Sequence, residues 1–278
     1  MEKRKMKKGA FLRRYFRIII AGSVLVLISL TAIFAPLIAT HDPYTIDMYS
    51  AKIRPNSDHL MGTDLYGRDI FSRVIYGGRV SLIISISVNA LAICIGTMIG
   101  LTAGYYSKVD RVIMRVMEGL NALPHLLLAI VLVSVMGSGM DKLIISLTVV
   151  NLPGIARLVR SQVLSIKERE HIESAKAMGA SNIRIIFLYT LPLCLSPIII
   201  RFTSGLANTI LTEASLSFLG VGIDPRTPSW GGIISEGKNL ALVSPYMCAY
   251  PGFAIIITVL AFSILGDGVR DVLDPRLR

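Results

Sequence analysis

Residues 80–104 read VSLIISISVNALAICIGTMIGLTAG and contain no Asp, Glu, Lys or Arg. A helix that spans a bilayer needs about 20 apolar residues to cross about 30 Å of hydrocarbon, so this stretch is long enough. Three more charge-free stretches lie at residues 18–40, 119–140 and 239–266. The sequence therefore predicts an all-α integral membrane protein that crosses the bilayer several times.

Two further spans follow from weaker patterns. Residues 143–156 are free of charge but are interrupted by Pro153, and residues 191–215 are apolar apart from Arg201 and Glu213. We expect Arg201 and Glu213 each to face a cavity or a partner helix, because charges within spans are costly and often functional. A proton relay is the alternative. The full prediction is six spans, at about 18–40, 80–104, 113–137, 143–156, 191–215 and 248–267.

The distribution of basic residues predicts the orientation of these spans. The net charge is +11 over 278 residues, and Lys and Arg crowd residues 1–17, 108–115, 157–184 and the C-terminal tail. Loops on the cytoplasmic side of membrane proteins carry such an excess. Both termini are therefore predicted to be cytoplasmic, and the basic composition is explained without nucleic acid as a partner.

The predicted organisation has four parts. Residues 1–17 form a basic cytoplasmic N-terminus, 18–40 the first span and 41–79 an extracytoplasmic segment rich in turn-forming residues. Residues 80–278 form a core with five spans and a polar loop at about 161–190. Within the core, small residues four apart at Gly96, Gly100 and Gly104 predict close packing against another helix. Arg115 and Glu118 are expected to pair with each other, and Asp267 is expected to form a structural salt bridge.

Motifs typical of enzymes are absent from the sequence. It contains no GxxxxGK[ST] phosphate loop and no HExxH metal pair, and no GxSxG nucleophile elbow. The three cysteines are scattered in apolar stretches, and the four histidines (His41, His59, His125 and His171) lie far apart. We therefore predict no catalytic residue, no metal site and no cofactor bound by this chain.

The polar loop carries the most informative pattern. Residues 168–184 read EREHIESAKAMGASNIR, in which Gly179 suits a helix stop and Ser181 suits the N-cap of a following helix. A shallow apolar stripe is formed by Ile172, Ala175, Met178 and Gly179. A short helix with such a stripe outside the membrane suits docking into a groove of a partner, and the alternative is a solvated loop.

This loop resembles the EAA loop of permeases from binding-protein-dependent ABC importers. That motif reads EAA, three residues, G, nine residues, I, one residue, LP, and here Ser174 and Tyr189 depart from it. The resemblance implies a coupling helix that sits in a cleft of an ATPase subunit. The residues expected to couple to the ATPase are Glu173, Ser174, Ala175, Met178, Gly179, Ala180, Leu191 and Pro192.

Three further stretches resemble the C-type permease subunits of dipeptide, oligopeptide and nickel importers. They begin at Gly62, at Glu213 and at Leu265, in the same order as in that family. The matching residues include Gly62, Thr63, Asp64, Gly67, Arg68, Asp69, Arg79, Glu213, Trp230, Gly266 and Asp267. The resemblance covers nearly the whole chain and implies the fold of a type I ABC importer permease.

The resemblance also implies partners and a location. A homologous second permease subunit would complete the pathway, one or two cytoplasmic ATPase subunits would bind ATP and Mg²⁺, and an extracytoplasmic binding protein would deliver the solute. The location implied is the cytoplasmic membrane of a bacterium or archaeon. Short peptides are the expected solute, with nickel chelates as the alternative. An ion-driven secondary transporter and a membrane scaffold remain alternative classes.

Overall fold

The computed structural model describes residues 2–273, with side chains from residue 16 onward. The basic side chains before residue 16, and the tail with its matched stretch Asp274–Arg276, lie outside the described residues. The described chain is almost entirely helical. Its α-helices are α1 (Glu2–Ile33), α2 (Ala35–Ile38), α3 (Ile70–Tyr105), α4 (Ser107–Asn121), α5 (His125–Met136), α6 (Met140–Ile166), α7 (Glu170–Ala177), α8 (Asn182–Arg184), α9 (Leu191–Phe218), α10 (Trp230–Gly237) and α11 (Tyr246–Leu273).

Five helical segments are long and apolar enough to cross a membrane. They are Phe16–Ile33, Ile70–Tyr105, Met140–Ile166, Asn182–Phe218 and Tyr246–Leu273. A sixth span is obtained within residues 2–273 if α4 and α5 count as one broken span. The predicted all-α polytopic architecture is therefore confirmed, although several boundaries differ from those predicted.

Helix α3 begins ten residues before the predicted start at residue 80. Asp69 is its N-cap, and the Asp69 carboxylate accepts a hydrogen bond from the backbone N–H of Ser72 at 2.8 Å. Arg73 lies in the first turns but is 1% exposed and pairs with Glu236. The charge-free stretch is shorter than the helix, because Arg73 is paired with Glu236 and can therefore lie buried within the helix. The segment predicted at 41–79 therefore ends at Asp69.

The span predicted at 113–137 is wrong as a continuous helix. Helices α4 and α5 meet at an angle of 91°, and the break contains Pro124, which lacks a backbone N–H and disfavours helical backbone at the residue before it. The span predicted at 143–156 is too short, because α6 runs to Ile166. Its Arg160 continues the helix by pairing with Asp110 of α4, with Nη2 of Arg160 2.6 Å from Oδ2 of Asp110.

Helices α3 and α6 form the closest pair of spans. A Cβ atom added at Gly100 would lie 2.6 Å from Cβ of Val159, and one added at Gly104 would lie 2.6 Å from Cβ of Val163. Side chains at these positions would separate the two helices. The prediction that these glycines serve helix packing is confirmed.

Helix α1 lies at the edge of the bundle. Only 17% of its window Phe16–Ile33 is buried, and the exposed side chains include Ile19, Val26 and Leu27. The buried side chains Ala21 and Leu25 pack in one cluster with residues of α9 and α11. The rest of the helix surface is suited to contact with lipid tails.

Candidate functional site

The short helix predicted in the polar loop is present as α7, between spans α6 and α9. It ends in a Schellman motif, in which the N–H of Ala180 bonds the carbonyl of Ala175 at 3.0 Å and the N–H of Gly179 bonds that of Lys176 at 2.9 Å. Gly179 has a φ of +82°, a backbone conformation that glycine adopts at low cost. Ser181 then caps α8 by accepting a hydrogen bond from the N–H of Arg184 at 3.4 Å. Both predicted turn roles are confirmed.

The predicted apolar stripe is divided between two environments. Ile172 and Ala175 are 0% and 2% exposed and pack inward, whereas Met178 is 80% exposed. Ile183, the second residue of α8, is 70% exposed. The stripe is therefore not one continuous accessible surface, because Ile172 and Ala175 pack inward whereas Met178, the C-cap of α7, is exposed. The inner half anchors the helix and the outer half is accessible.

Glu173 and Ser174 complete the outward face. Both side chains are exposed on α7, between the two buried positions. The carboxylate of Glu173 also lies in the first turn of α7, where the helix dipole favours negative charge. The accessible surface of the loop therefore comprises Glu173, Ser174, Met178, Gly179 and Ile183, and we call it the outer coupling surface.

The loop is held to the end of span α3 by polar contacts as well as by packing. The hydroxyl of Tyr105 donates to Oδ1 of Asn182 at 2.7 Å, and Nζ of Lys167 donates to the carbonyl of Gly104 at 3.3 Å. Ile172 belongs to a buried cluster that also contains Val163 of α6. A displacement of the loop would therefore be passed to α3 and α6 together. The sequence pattern did not indicate Tyr105.

A π-helical turn connects the loop to span α9. It runs from Ile185 to Thr190 and precedes Leu191 and Pro192. Proline removes a backbone donor and its ring collides with the carbonyl four residues earlier, and the wider turn lies directly before Leu191 and Pro192. Leu191 packs against the same buried cluster as Ile172, whereas Pro192 is exposed. These two residues fix how the loop enters the span.

The stretch that begins at Gly62 forms a buried ion network at the start of α3. Asp64 accepts hydrogen bonds from its own loop and from Nε of Arg68 at 2.7 Å. Arg68 and Arg73 both reach Glu236 of α10, with Nη2 of Arg73 3.1 Å from Oε2 of Glu236. Thr63 is fully buried and accepts from the N–H of Ile53 at 2.8 Å. The network joins the segment after the first span to α10.

Burial dominates the electrostatics of Glu236. It raises the pKa of this carboxyl above its ordinary value, and the guanidinium groups of Arg73 and Arg68 offset only part of that effect. The close approach of two arginines by itself favours the ionised form, so the two influences oppose each other. Glu236 was not among the predicted residues, because nothing in its sequence neighbourhood marks it.

Trp230 and Glu213 secure α10 and α9 against α3. The indole N–H of Trp230 donates to the carbonyl of Val74 at 2.9 Å. Glu213 is fully buried and accepts from Oγ of Ser217 at 2.8 Å and from Oγ of Ser81 at 3.1 Å. The expectation that Glu213 faces a neighbouring helix agrees with this contact to α3.

The remaining predicted residues have simpler surroundings. Gly62 and Gly67 adopt left-handed backbone, and Gly266 packs against Thr203 and Ser204 of α9. Arg79 is exposed. Half-buried Arg201 lies against α6 near Gly154.

The predicted pair of Arg115 with Glu118 is not formed among the described side chains, and the ion pair that joins α4 to its neighbour is Asp110–Arg160. Spacing along one helix suggested the pair, but the closer contact lies between helices. Asp267 is exposed, and among the side chains of residues 16–273 it has no salt bridge.

The same fold occurs in a solved structure. The chain superimposes on a subunit of the MetNI methionine ABC transporter in an inward-facing conformation, with a TM-score of 0.62 and 19% identity, covering 74% of this chain and 98% of that one. At this identity the likeness concerns the fold. Apolar spans with a short helix held outside between two of them thus define a polytopic helical membrane protein.

Sequence comparison gives the family. Residues 92–278 match the model of the binding-protein-dependent transport system inner membrane component, and residues 13–57 match the N-terminal transmembrane domain of oligopeptide transport permease C. The chain belongs to this family of inner membrane transport components. It is 41% identical to the glutathione transport system permease protein of Pectobacterium atrosepticum, over 96% of this chain and 91% of that protein. It is 42% identical to the dipeptide transport system permease protein of Alkalihalophilus pseudofirmus, over 90% of this chain and 82% of that protein.

Proposed function

We propose that this chain is one of two permease subunits in an ATP-driven importer of short peptides. The observation that carries the proposal is the division of the coupling loop into an anchored inner half and an accessible outer surface. Such an element can receive a displacement from a partner and pass it to the spans. The names of the relatives, which refer to dipeptides and glutathione, support a peptide as the solute.

The proposed partner at the outer coupling surface is an ATPase that holds ATP and Mg²⁺ and carries out the hydrolysis. Closure of two ATPase subunits would shift α7, and with it the ends of α3 and α6, between two discrete arrangements. The orientation predicted from the basic residues would put both termini and α7 in the cytoplasm, where ATP is present. A homologous permease would complete the pathway, and an extracytoplasmic binding protein would deliver the peptide from the other side.

The test is uptake in proteoliposomes that contain this chain with its second permease and its ATPases. We expect labelled di- and tripeptides to accumulate only with ATP inside, only with the binding protein outside, and not in the presence of vanadate. Uptake that follows an ion gradient without ATP would contradict the proposal in favour of a secondary transporter. Co-purification of the ATPases without any uptake would instead favour a scaffold.

A further inference from the structure

A group of metal-ligating side chains lies where the first span connects to the second. His41 follows α2, His59 lies in the loop and Asp69 caps α3, and one ligand atom from each lies within 4.8 Å of the others. We propose that these three residues bind a divalent transition-metal ion of the zinc type. The separation of the two histidines along the sequence concealed the site, although their rings lie 4.6 Å apart between centroids. This proposal departs from the sequence prediction of no metal site.

The first argument is the state of the Asp69 carboxylate. Its side chain is fully buried, and the ion-pair partners that it has among the described residues are the two histidines, not Lys or Arg. Oδ2 accepts from the backbone N–H and from Oγ of Ser72, both at 2.8 Å. Oδ1 is thereby directed at the two imidazoles. A buried carboxylate without a permanent cation is costly, and a divalent ion would supply the missing charge.

The second argument is the spacing of the ligand atoms. Nδ1 of His59 lies 3.0 Å and Nδ1 of His41 lies 4.0 Å from Oδ1 of Asp69. Zinc bonds of about 2.0–2.1 Å in a tetrahedron place ligand atoms about 3.3–3.4 Å apart, which falls between these two distances. Small side-chain adjustments would therefore suffice to form the site. Two imidazoles and one carboxylate form a donor set that suits zinc better than magnesium or calcium.

The third argument is the cavity that the three residues share. It has a volume of about 330 Å³ and is also lined by Asp42 and Asp47. These carboxylates accept hydrogen bonds from Oγ1 of Thr45 at 2.7 Å and from Oγ of Ser50 at 2.6 Å. They lie outside the group of three whose ligand atoms are within 4.8 Å of one another, so they would contribute negative charge and not ligand atoms. The cavity leaves room for water as the fourth ligand. His41 is 44% exposed in its side chain, which gives the ion a path of entry.

The alternative is that His59 and Asp69 form only a hydrogen bond, with His41 as a neighbour. Zinc titration of the full chain in nanodiscs, purified with a tag that contains no histidine, separates the two cases. We expect one Zn²⁺ per chain, an affinity at least tenfold lower for His41→Ala and for His59→Ala, and no change for His171→Ala on the exposed face of α7. Magnesium in excess should not displace the zinc. Equal zinc binding by the wild type and the double histidine variant would overturn the proposal.

Two further measurements guard against a variant that has lost its fold. With a chelator present, the fluorescence of Trp230 should be the same in the wild type and in both single variants, because Trp230 is the only tryptophan. Saturating zinc should raise the unfolding temperature of the wild type and not that of the variants. X-ray absorption at the zinc edge should show imidazole ligands, and a spectrum without them would refute the site even if zinc binds.

Discussion

Oγ of Ser81 donates a hydrogen bond to Oε2 of Glu213 over 3.1 Å, and the two residues lie on different spans, α3 and α9. The second carboxyl oxygen accepts from Oγ of Ser217 on its own helix. Hydroxyl donors thus satisfy both oxygens of a fully buried carboxyl group. This arrangement requires acceptors at residue 213 more than it requires charge.

The first prediction concerns this carboxyl. Glu213→Gln keeps a carbonyl acceptor and adds an amide that can donate to a hydroxyl, so its unfolding temperature and uptake should stay close to those of the wild type. Glu213→Ala leaves two buried hydroxyls unpaired and opens a cavity, which costs about 1–3 kcal/mol for each unsatisfied group. Thermal unfolding in detergent measures both. A glutamine variant as unstable as the alanine variant would show that the charge itself is needed.

The second prediction concerns the outer coupling surface. Ser174→Trp adds bulk on an exposed helical position without backbone strain, so we expect it to abolish ATP-driven uptake while the protein remains inserted and folded. Gly179→Trp should have the same effect, because it adds both bulk and strain at a φ of +82°. Uptake by proteoliposomes measures the loss of transport, and an ATPase pull-down measures the loss of ATPase binding.

Gly179→Asn is the matched control for strain. Asparagine tolerates left-handed backbone better than other residues, and a Cβ added at residue 179 would meet no atom within 4 Å. We therefore expect this variant to retain at least half of the uptake. Wild-type uptake by Gly179→Trp would count against any ATPase contact at this surface.

The third prediction concerns the packing of α3 on α6. Gly100→Ala would place a methyl group 2.6 Å from Cβ of Val159 and 2.7 Å from the carbonyl oxygen of Ala156, and such overpacking costs about 1–3 kcal/mol. Gly252→Ala on α11 is the control, because a Cβ there meets nothing within 4 Å. We expect a lower unfolding temperature for the first and an equal or higher one for the second. Equal temperatures would mean that the two spans can move apart without cost.

The fourth prediction concerns pH. Because burial raises the pKa of Glu236, folding favours its protonated form, so its contribution to stability is full below its unfolded-state pKa. That contribution is lost as pH rises through the higher folded-state value. Glu236→Gln should remove this part of the pH dependence of the unfolding temperature. The exposed Glu168→Gln should leave the dependence intact, and an unchanged profile in both variants would refute the assignment.

The presence of several apolar spans and the turns of the coupling loop could be predicted from the sequence. Both depend on local features, namely apolar length and the residues Gly179 and Ser181. The sequence pattern placed the start of α3 too late because Arg73 finds its partner, Glu236, far along the chain. The span broken at Pro124 was predicted as continuous, because hydropathy measures the length of an apolar stretch and not the direction of the helix axis. Contacts such as Tyr105 with Asn182, and the approach of His41 to His59, depend on packing that no local pattern contains.

The short segment from α7 to α8 presents the residues that hold the loop and the residues that a partner would meet on different faces. Ile172 and Ala175 face the permease, and Ser174, Met178 and Ile183 face outward. The residues that stabilise the fold and the residues that would contact a partner are therefore different ones, although they alternate along one short segment. Exchanging only the outward positions between related permeases should redirect the chain to a foreign motor subunit while its own architecture stays intact.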